Sequence, residues 1–125
     1  MTFAGAYSED AGAAAMRDLL ERPEKVTAVV AGNDLLALGC IDALNERNLR
    51  CPQDISLVGF NDMPMMSRTS PPMTTIRLPK REIGVEAARL LMARIADPST
   101  PDTRRLLLQC KLAIRASTAA PPNIG

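Results

Sequence analysis

The sequence predicts an α/β fold: a Rossmann-like parallel sheet flanked by helices. Three observations carry that expectation. Residues 26–31 and 55–60 are short runs rich in β-branched and aliphatic side chains without polar alternation, as strands covered on both faces are. Apolar residues recur at helical spacing around and between these runs. Each run ends in an Asn-Asp pair, Asn33-Asp34 after Gly32 and Asn61-Asp62 after Phe60. In an open α/β sheet, ligands sit outside the carboxyl ends of the strands.

The elements follow in order. Ser8 precedes Glu9 and Asp10, a capping side chain followed by two acids at the positive end of a helix dipole. Gly12, Ala15, Met16, Leu19 and Leu20 then form a helical stripe, which Pro23 ends. A second helix is predicted over 34–46, closed by residues 48–52. A loop rich in methionine and proline spans 63–73, and residues 74–78 read as extended. Pro79 suits the first turn of a third helix, where its missing N–H has no partner to lose. Ile83, Ala87, Leu90, Leu91 and Ile95 make the expected inner stripe of that helix. After a turn over 97–102, residues 105–115 alternate, with Leu106, Leu108, Cys110, Leu112 and Ile114 on one side, as in a half-exposed strand.

Composition excludes several functions. The chain has 125 residues, enough for one core, with 46% apolar and 23% charged residues, an ordinary globular balance. It contains no histidine, which removes Ser-His-Asp, Cys-His and His-ligated metal chemistry. Asp10, Asp34 and Asp62 are the acid–base candidates. With no Gly-rich phosphate loop and no paired nucleophile and base, the expectation is a protein that is not an enzyme, with no catalytic residue, metal or cofactor. The three cysteines, Cys40, Cys51 and Cys110, are too scattered for a zinc site or a disulfide framework and suit a reducing compartment. A formal charge of +1 with dispersed basic residues is not the clustered basic face of a nucleic-acid grip. No apolar run approaches the roughly 18 residues of a membrane span. The first six residues lack the basic and apolar regions of a secretory signal. A cytoplasmic, membrane-free location is therefore expected.

The two Asn-Asp pairs fall on one rim of the predicted sheet. Amides donate and accept while carboxylates accept, a combination suited to a polyhydroxylated or nucleobase-like ligand. The plainer alternative is that the first pair caps the second helix and the second makes an Asx-turn.

The segment "VTAVVAGNDLLALGCIDALNERNLRCPQDISLVGFNDMP", followed by "SPPMTTIRLPKREIGVEAARLLMARI", resembles the effector-binding core of the LacI/GalR family of bacterial transcriptional repressors. The resemblance runs from about residue 5 to residue 118 and rests on four blocks in fixed order: A-x-N-D-x-x-A-L-G, P-x-D-I-S-x-V-G-F, P-P-x-T-T-I and P-x-x-x-I-G. It implies a partial type I periplasmic-binding-protein-like fold, in which two α/β subdomains close on a sugar, nucleoside or other small metabolite. It also implies a homodimer that meets operator DNA only through a helix-turn-helix domain. That domain and the first half of the effector domain are expected to be missing here. On this basis residues 1–77 are part of the C-terminal effector subdomain. Residues 78–104 are a crossing and a helix of the other subdomain, 105–118 a returning strand and 119–125 a frayed tail. By position, Asn33 contacts effector hydroxyls, Asn61 stands where the family commonly has an aspartate, and Tyr7 stands where an aromatic often stacks on the ligand. Asp62 completes the expected ligand-binding set. Leu78 replaces a frequent glutamine and, with Asn61, implies a less acidic, more apolar ligand end. An alternative is a soluble sugar-binding protein of a transport system, which shares the fold but requires export.

The second helix is apolar around most of its circumference, beyond the roughly 100° stripe needed to cover a sheet. The resemblance places a dimer interface near Leu38. The expected interface residues are Leu35, Leu38, Ile41, Met63 and Met66. The alternative is a helix buried within one subunit. Self-association is also expected from open strand edges, with 105–115 as one candidate.

Overall fold

The structure, a computed structural model, describes residues 2, 4–99 and 105–121. In chain order these form α1 (Glu9–Leu20), β1 (Ala28–Val30), α2 (Asp34–Glu46), β2 (Ser56–Phe60), a 3-10 turn (Pro64–Ser67), β3 (Thr74–Arg77), α3 (Lys80–Ala96) and β4 (Lys111–Ala113). The sheet has the order β1-β2-β3-β4, and the first two pairings are parallel, with Val29 beside Leu57 and Gly59 beside Thr75. The chain divides into two compact units, one of Met1–Arg77 with Leu112–Gly125, the other Leu78–Lys111.

In the first unit, Ser8 caps α1 as its position suggests, accepting a hydrogen bond from the Ala11 N–H at 3.2 Å. α2 coincides with the predicted 34–46. It closes with Asn48 at φ 56°, and the Leu49 N–H reaches the Leu44 carbonyl at 2.9 Å. This is a Schellman end built on asparagine rather than glycine. α1 packs against α2, and α2 against β2. Met16, Ala37, Ala43, Leu44, Leu57 and Met73 form the centre of the core.

The start of β2 receives the end of the chain through hydroxyl groups added to a main-chain bond, the Leu57 N–H donating to the Ser117 carbonyl at 2.8 Å. Ser117, fully buried, donates from Oγ to the Leu57 carbonyl at 2.6 Å and accepts from the Thr74 N–H at 2.8 Å. The Ala119 N–H binds Ser56 Oγ at 3.1 Å. This tie corrects the expectation of a tail frayed from 119, because a serine hydroxyl anchors its first residue. The remainder beyond residue 121, and the end of the turn expected over 97–102, lie outside the described residues.

Three further expectations change. β1 is parallel but not covered on both faces, since Val30 is 73% exposed and the helices cover only part of this edge strand. In the second unit α3 has no buried residue, so the stripe of Ile83, Leu91 and Ile95 is exposed. The expected strand over 105–115 shrinks to β4, and Leu107 is 96% exposed. The reason is shared: an apolar pattern records which face a segment is suited to bury, and among the described residues no second layer covers these faces. No helix among them is long and apolar enough to cross a membrane.

The α1–α2 contact depends on a close backbone approach. A Cβ at Gly39 would meet the Glu9 carbonyl oxygen and lie 2.6 Å from the Ala13 nitrogen. Both are rigid backbone atoms, so the roughly 1 kcal/mol that alanine gains in a free helix is outweighed by overpacking of about 1–3 kcal/mol or more. Gly39→Ala is expected to lower the urea midpoint, with a loss of about 2 kcal/mol; an unchanged or raised midpoint would refute the close approach.

Candidate functional site

Because β1, β2 and β3 run parallel, their carboxyl ends share one rim. Asn33 and Asp34 follow β1, Asn61 and Asp62 follow β2, and Arg77 ends β3. The first pair divides its work. Asn33 is the N-cap of α2, its Oδ1 accepting from the Leu36 N–H at 2.8 Å. Its amide nitrogen makes no hydrogen bond among the described residues and stays available to a ligand. Asp34 is fully buried. Its Oδ1 accepts from Thr75 Oγ1 at 2.7 Å, and its Oδ2 from the Met63 N–H at 2.7 Å. It thus ties the start of α2 to β3 and to the loop after β2. Gly59 permits this, since a Cβ there would collide with Asp34 Oδ1.

The loop after β2 has an unusual backbone. Asn61 has φ 121° and Asp62 φ 51°, conformations that side-chain-bearing residues seldom adopt and that cost about 1–3 kcal/mol each. They persist because the loop is fixed at every residue. The Asn61 N–H binds the Ile76 carbonyl at 2.9 Å, Met63 is held by Asp34, and Asp62 is held by two arginines. No Asx-turn hydrogen bond forms. The Asn61 side chain makes no bond among the described residues, so a second amide is free on the rim.

Asp62 accepts from Arg77 Nε and, at 2.7 Å, from Arg115. Its side chain is only 8% exposed. Burial pushes the Asp62 carboxyl up, but hydrogen bonds from Arg115 and Arg77, together with their charges, outweigh burial and leave it below its ordinary value. Tyr7 stands 73% exposed beside Gly32, where an added Cβ would lie 3.7 Å from the ring. Tyr7 also borders a recess of about 700 Å³ lined by Met16, Leu19, Val29 and Leu36. That recess is apolar and contains neither Asn33 nor Asn61, so the rim is the better candidate for a hydroxylated ligand.

A model of the periplasmic binding protein-like domain matches residues 1–118. The chain belongs to that family. It is 37% identical over 118 residues to the HTH-type transcriptional repressor CytR of Escherichia coli, covering 94% of this chain and 34% of that protein. It is 39% identical to the HTH-type transcriptional regulator CelR of Thermobifida fusca over 90% of this chain and 33% of that one. Among solved structures it is similar to a CelR–cellobiose complex, with 39% identity, a TM-score of 0.82, and coverage of 90% of this chain and 34% of the other. It is also similar to a LacI family regulator from Enterococcus faecalis with bound ribose, at 32% identity and a TM-score of 0.78, covering 91% of this chain and 42% of that one. The LacI/GalR resemblance and the periplasmic-binding-protein-like fold read from the sequence are borne out. The chain spans about a third of the length of these curated relatives.

Within this periplasmic-binding-protein-like unit, the expected interface residues separate by burial. Met66 is fully buried and Ile41 is 9% exposed, both in the core of the chain, so neither offers surface to a second copy. Leu35, Leu38 and Met63 are half-buried. The cysteines are all free, and burial pushes the Cys40 thiol up to about 11, which keeps it protonated at neutral pH. No cluster of metal-ligating side chains occurs among the described residues. Arg77, Thr75 and Arg115 are rim or support residues that the sequence did not single out. The one sequence signal for Arg77 is a charge at the end of a strand.

Two outcomes are expected. Asp34→Ala leaves the Thr75 hydroxyl and Met63 N–H without their acceptor and should lose roughly 2 kcal/mol or more in denaturant unfolding, since each buried donor left unsatisfied costs about 1–3 kcal/mol. A loss within the error of the extrapolation would contradict the assigned bonds. Because the folded Asp62 value is lowered, its contribution is complete above the unfolded value of about 3.9 and disappears as pH falls through the folded value. The stability gap between the parent chain and Asp62→Asn should therefore be constant at neutral pH and close on acidification below about pH 4. A gap that widens on acidification would show the opposite sign.

Proposed function

We propose that this chain is the ligand-sensing portion of a LacI/GalR-type transcriptional regulator, binding a small sugar- or nucleoside-like effector through Tyr7, Asn33 and Asn61. Asp62 takes part by fixing Arg77 at the same rim. The observation that carries the reading is the pair of free amides, one after each of two adjacent parallel strands, beside an exposed aromatic ring. Amides pair with hydroxyls and base edges, and aromatic faces stack on apolar ring faces. Both carboxylates near the rim are engaged, Asp34 by Thr75 and Met63 and Asp62 by two arginines. This favours an uncharged effector over a cationic one. The cellobiose and ribose bound in the two related structures support a carbohydrate-like ligand. That the relatives are described as regulators favours a cytoplasmic regulator over a transport protein. We further propose a homodimer joined near Leu35, Leu38 and Met63, with operator DNA bound by a separate head domain.

Isothermal titration of the full-length product of the gene with cellobiose, ribose and a nucleoside is expected to give saturable binding for one class. Asn33→Asp keeps the capping oxygen and removes the amide donors, and it should weaken that binding about tenfold or more, or about 1.4 kcal/mol. Binding by none of the three classes, or unchanged affinity in Asn33→Asp and Asn61→Ala, would sink the effector site. Leu38→Glu is expected to convert dimers to monomers in analytical ultracentrifugation, and an unchanged sedimenting mass would remove Leu38 from the interface.

A further inference from the structure

The second unit is connected to the first by two stretches of backbone, one leaving after Arg77 and one returning at Leu112. On the first unit's side, one carboxylate holds both. Asp62 accepts from Arg77, the last residue before the chain leaves, and from Arg115, shortly after it returns, at 2.7 Å. We propose that Asp62 is a joint clamp, a positioning residue that sets the geometry of both connectors at once.

The two arms are held unequally. Arg115 is 17% exposed and has further anchors: it donates to the Met73 carbonyl at 2.7 Å, and its backbone N–H binds Thr74 Oγ1 at 3.0 Å. Arg77 is 58% exposed, and its side chain has no hydrogen-bond partner other than Asp62 among the described residues. On the outgoing connector the clamp is the sole side-chain hold on Arg77 among the described residues, beside the main-chain bond from the Asn61 N–H to the Ile76 carbonyl; on the returning one it shares Arg115 with those further anchors. An exposed ion pair would contribute little, but the Asp62 side chain is 8% exposed and accepts from both guanidinium groups, the charge-assisted case in which geometry is enforced. The strained backbone at Asn61 and Asp62 fits the same role. Its bonds to Ile76 and Asp34 keep the carboxylate facing both arms. The clamp is independent of which ligand the rim binds.

The test is amide hydrogen exchange on the full chain, comparing residues 76–78 and 111–116 with α1 and α2. Asp62→Asn is expected to speed exchange about tenfold or more in the outgoing connector, and measurably in the returning one, as the loss of charge-assisted hydrogen bonds predicts. The α1 and α2 amides should keep their protection. Arg77→Gln should loosen only 76–78, and Arg115→Gln only 111–116. Unchanged exchange in both connectors of Asp62→Asn would overturn the proposal. So would an increase spread evenly over α1 and α2, which marks global destabilisation. If Asp62→Asn does not fold, the two arginine variants decide: a change confined to each one's own connector supports the clamp, and any other pattern rejects it.

Discussion

The buried Asp34 carboxylate is the constraint on which the first unit depends. A carboxyl group with no solvent exposure is tolerable only when its oxygens are bonded, and its two partners come from elements distant in sequence. Thr75 lies in the third strand, and Met63 begins the turn after the second. The bond to Met63 holds the loop that carries Asn61 and Asp62 in its left-handed backbone, and the absence of a side chain at Gly59 leaves the carboxylate room. Helix start, strand and loop are thus fixed relative to one another by one side chain.

A second consequence is a separation of roles among polar residues that look alike in sequence. Each Asn-Asp pair places its aspartate inward, on structure, and leaves amide groups facing outward. Asn33 does both, capping α2 with its oxygen while its nitrogen remains free. The rim therefore presents neutral donors and acceptors beside Tyr7 and Arg77, and any negative charge there is already matched.

Local signals were legible in the sequence where a single segment determines them. Ser8 and Asn33 cap helices because of residues immediately following, and α2 begins and ends where its apolar run and asparagine stop dictate. The position of the rim followed from reading the first two strands as parallel, each ending in an Asn-Asp pair. The ion pairs of Asp62 were not legible, because Arg77 and Arg115 reach it only after β3 and the returning chain are in place. Nor could the periodicity of α3 or of residues 105–115 reveal that their apolar faces are uncovered among the described residues, since the pattern is the same whether or not a partner layer exists.

The hydroxyl peg at Ser117 has a consequence for how the chain finds its place on re-entering the sheet. An ordinary ladder of main-chain bonds tolerates a slip of two residues, because every amide resembles the next. Here a slip of two would bring Ala119 or Arg115 to the fully buried position between Leu57 and Thr74. Alanine would abandon both backbone groups, and arginine would bury a charge. A slip of one brings Thr118 and turns its side chain to the opposite face. The attachment works as a keyed socket that accepts a single alignment, so the segment after the last strand is threaded correctly or does not engage.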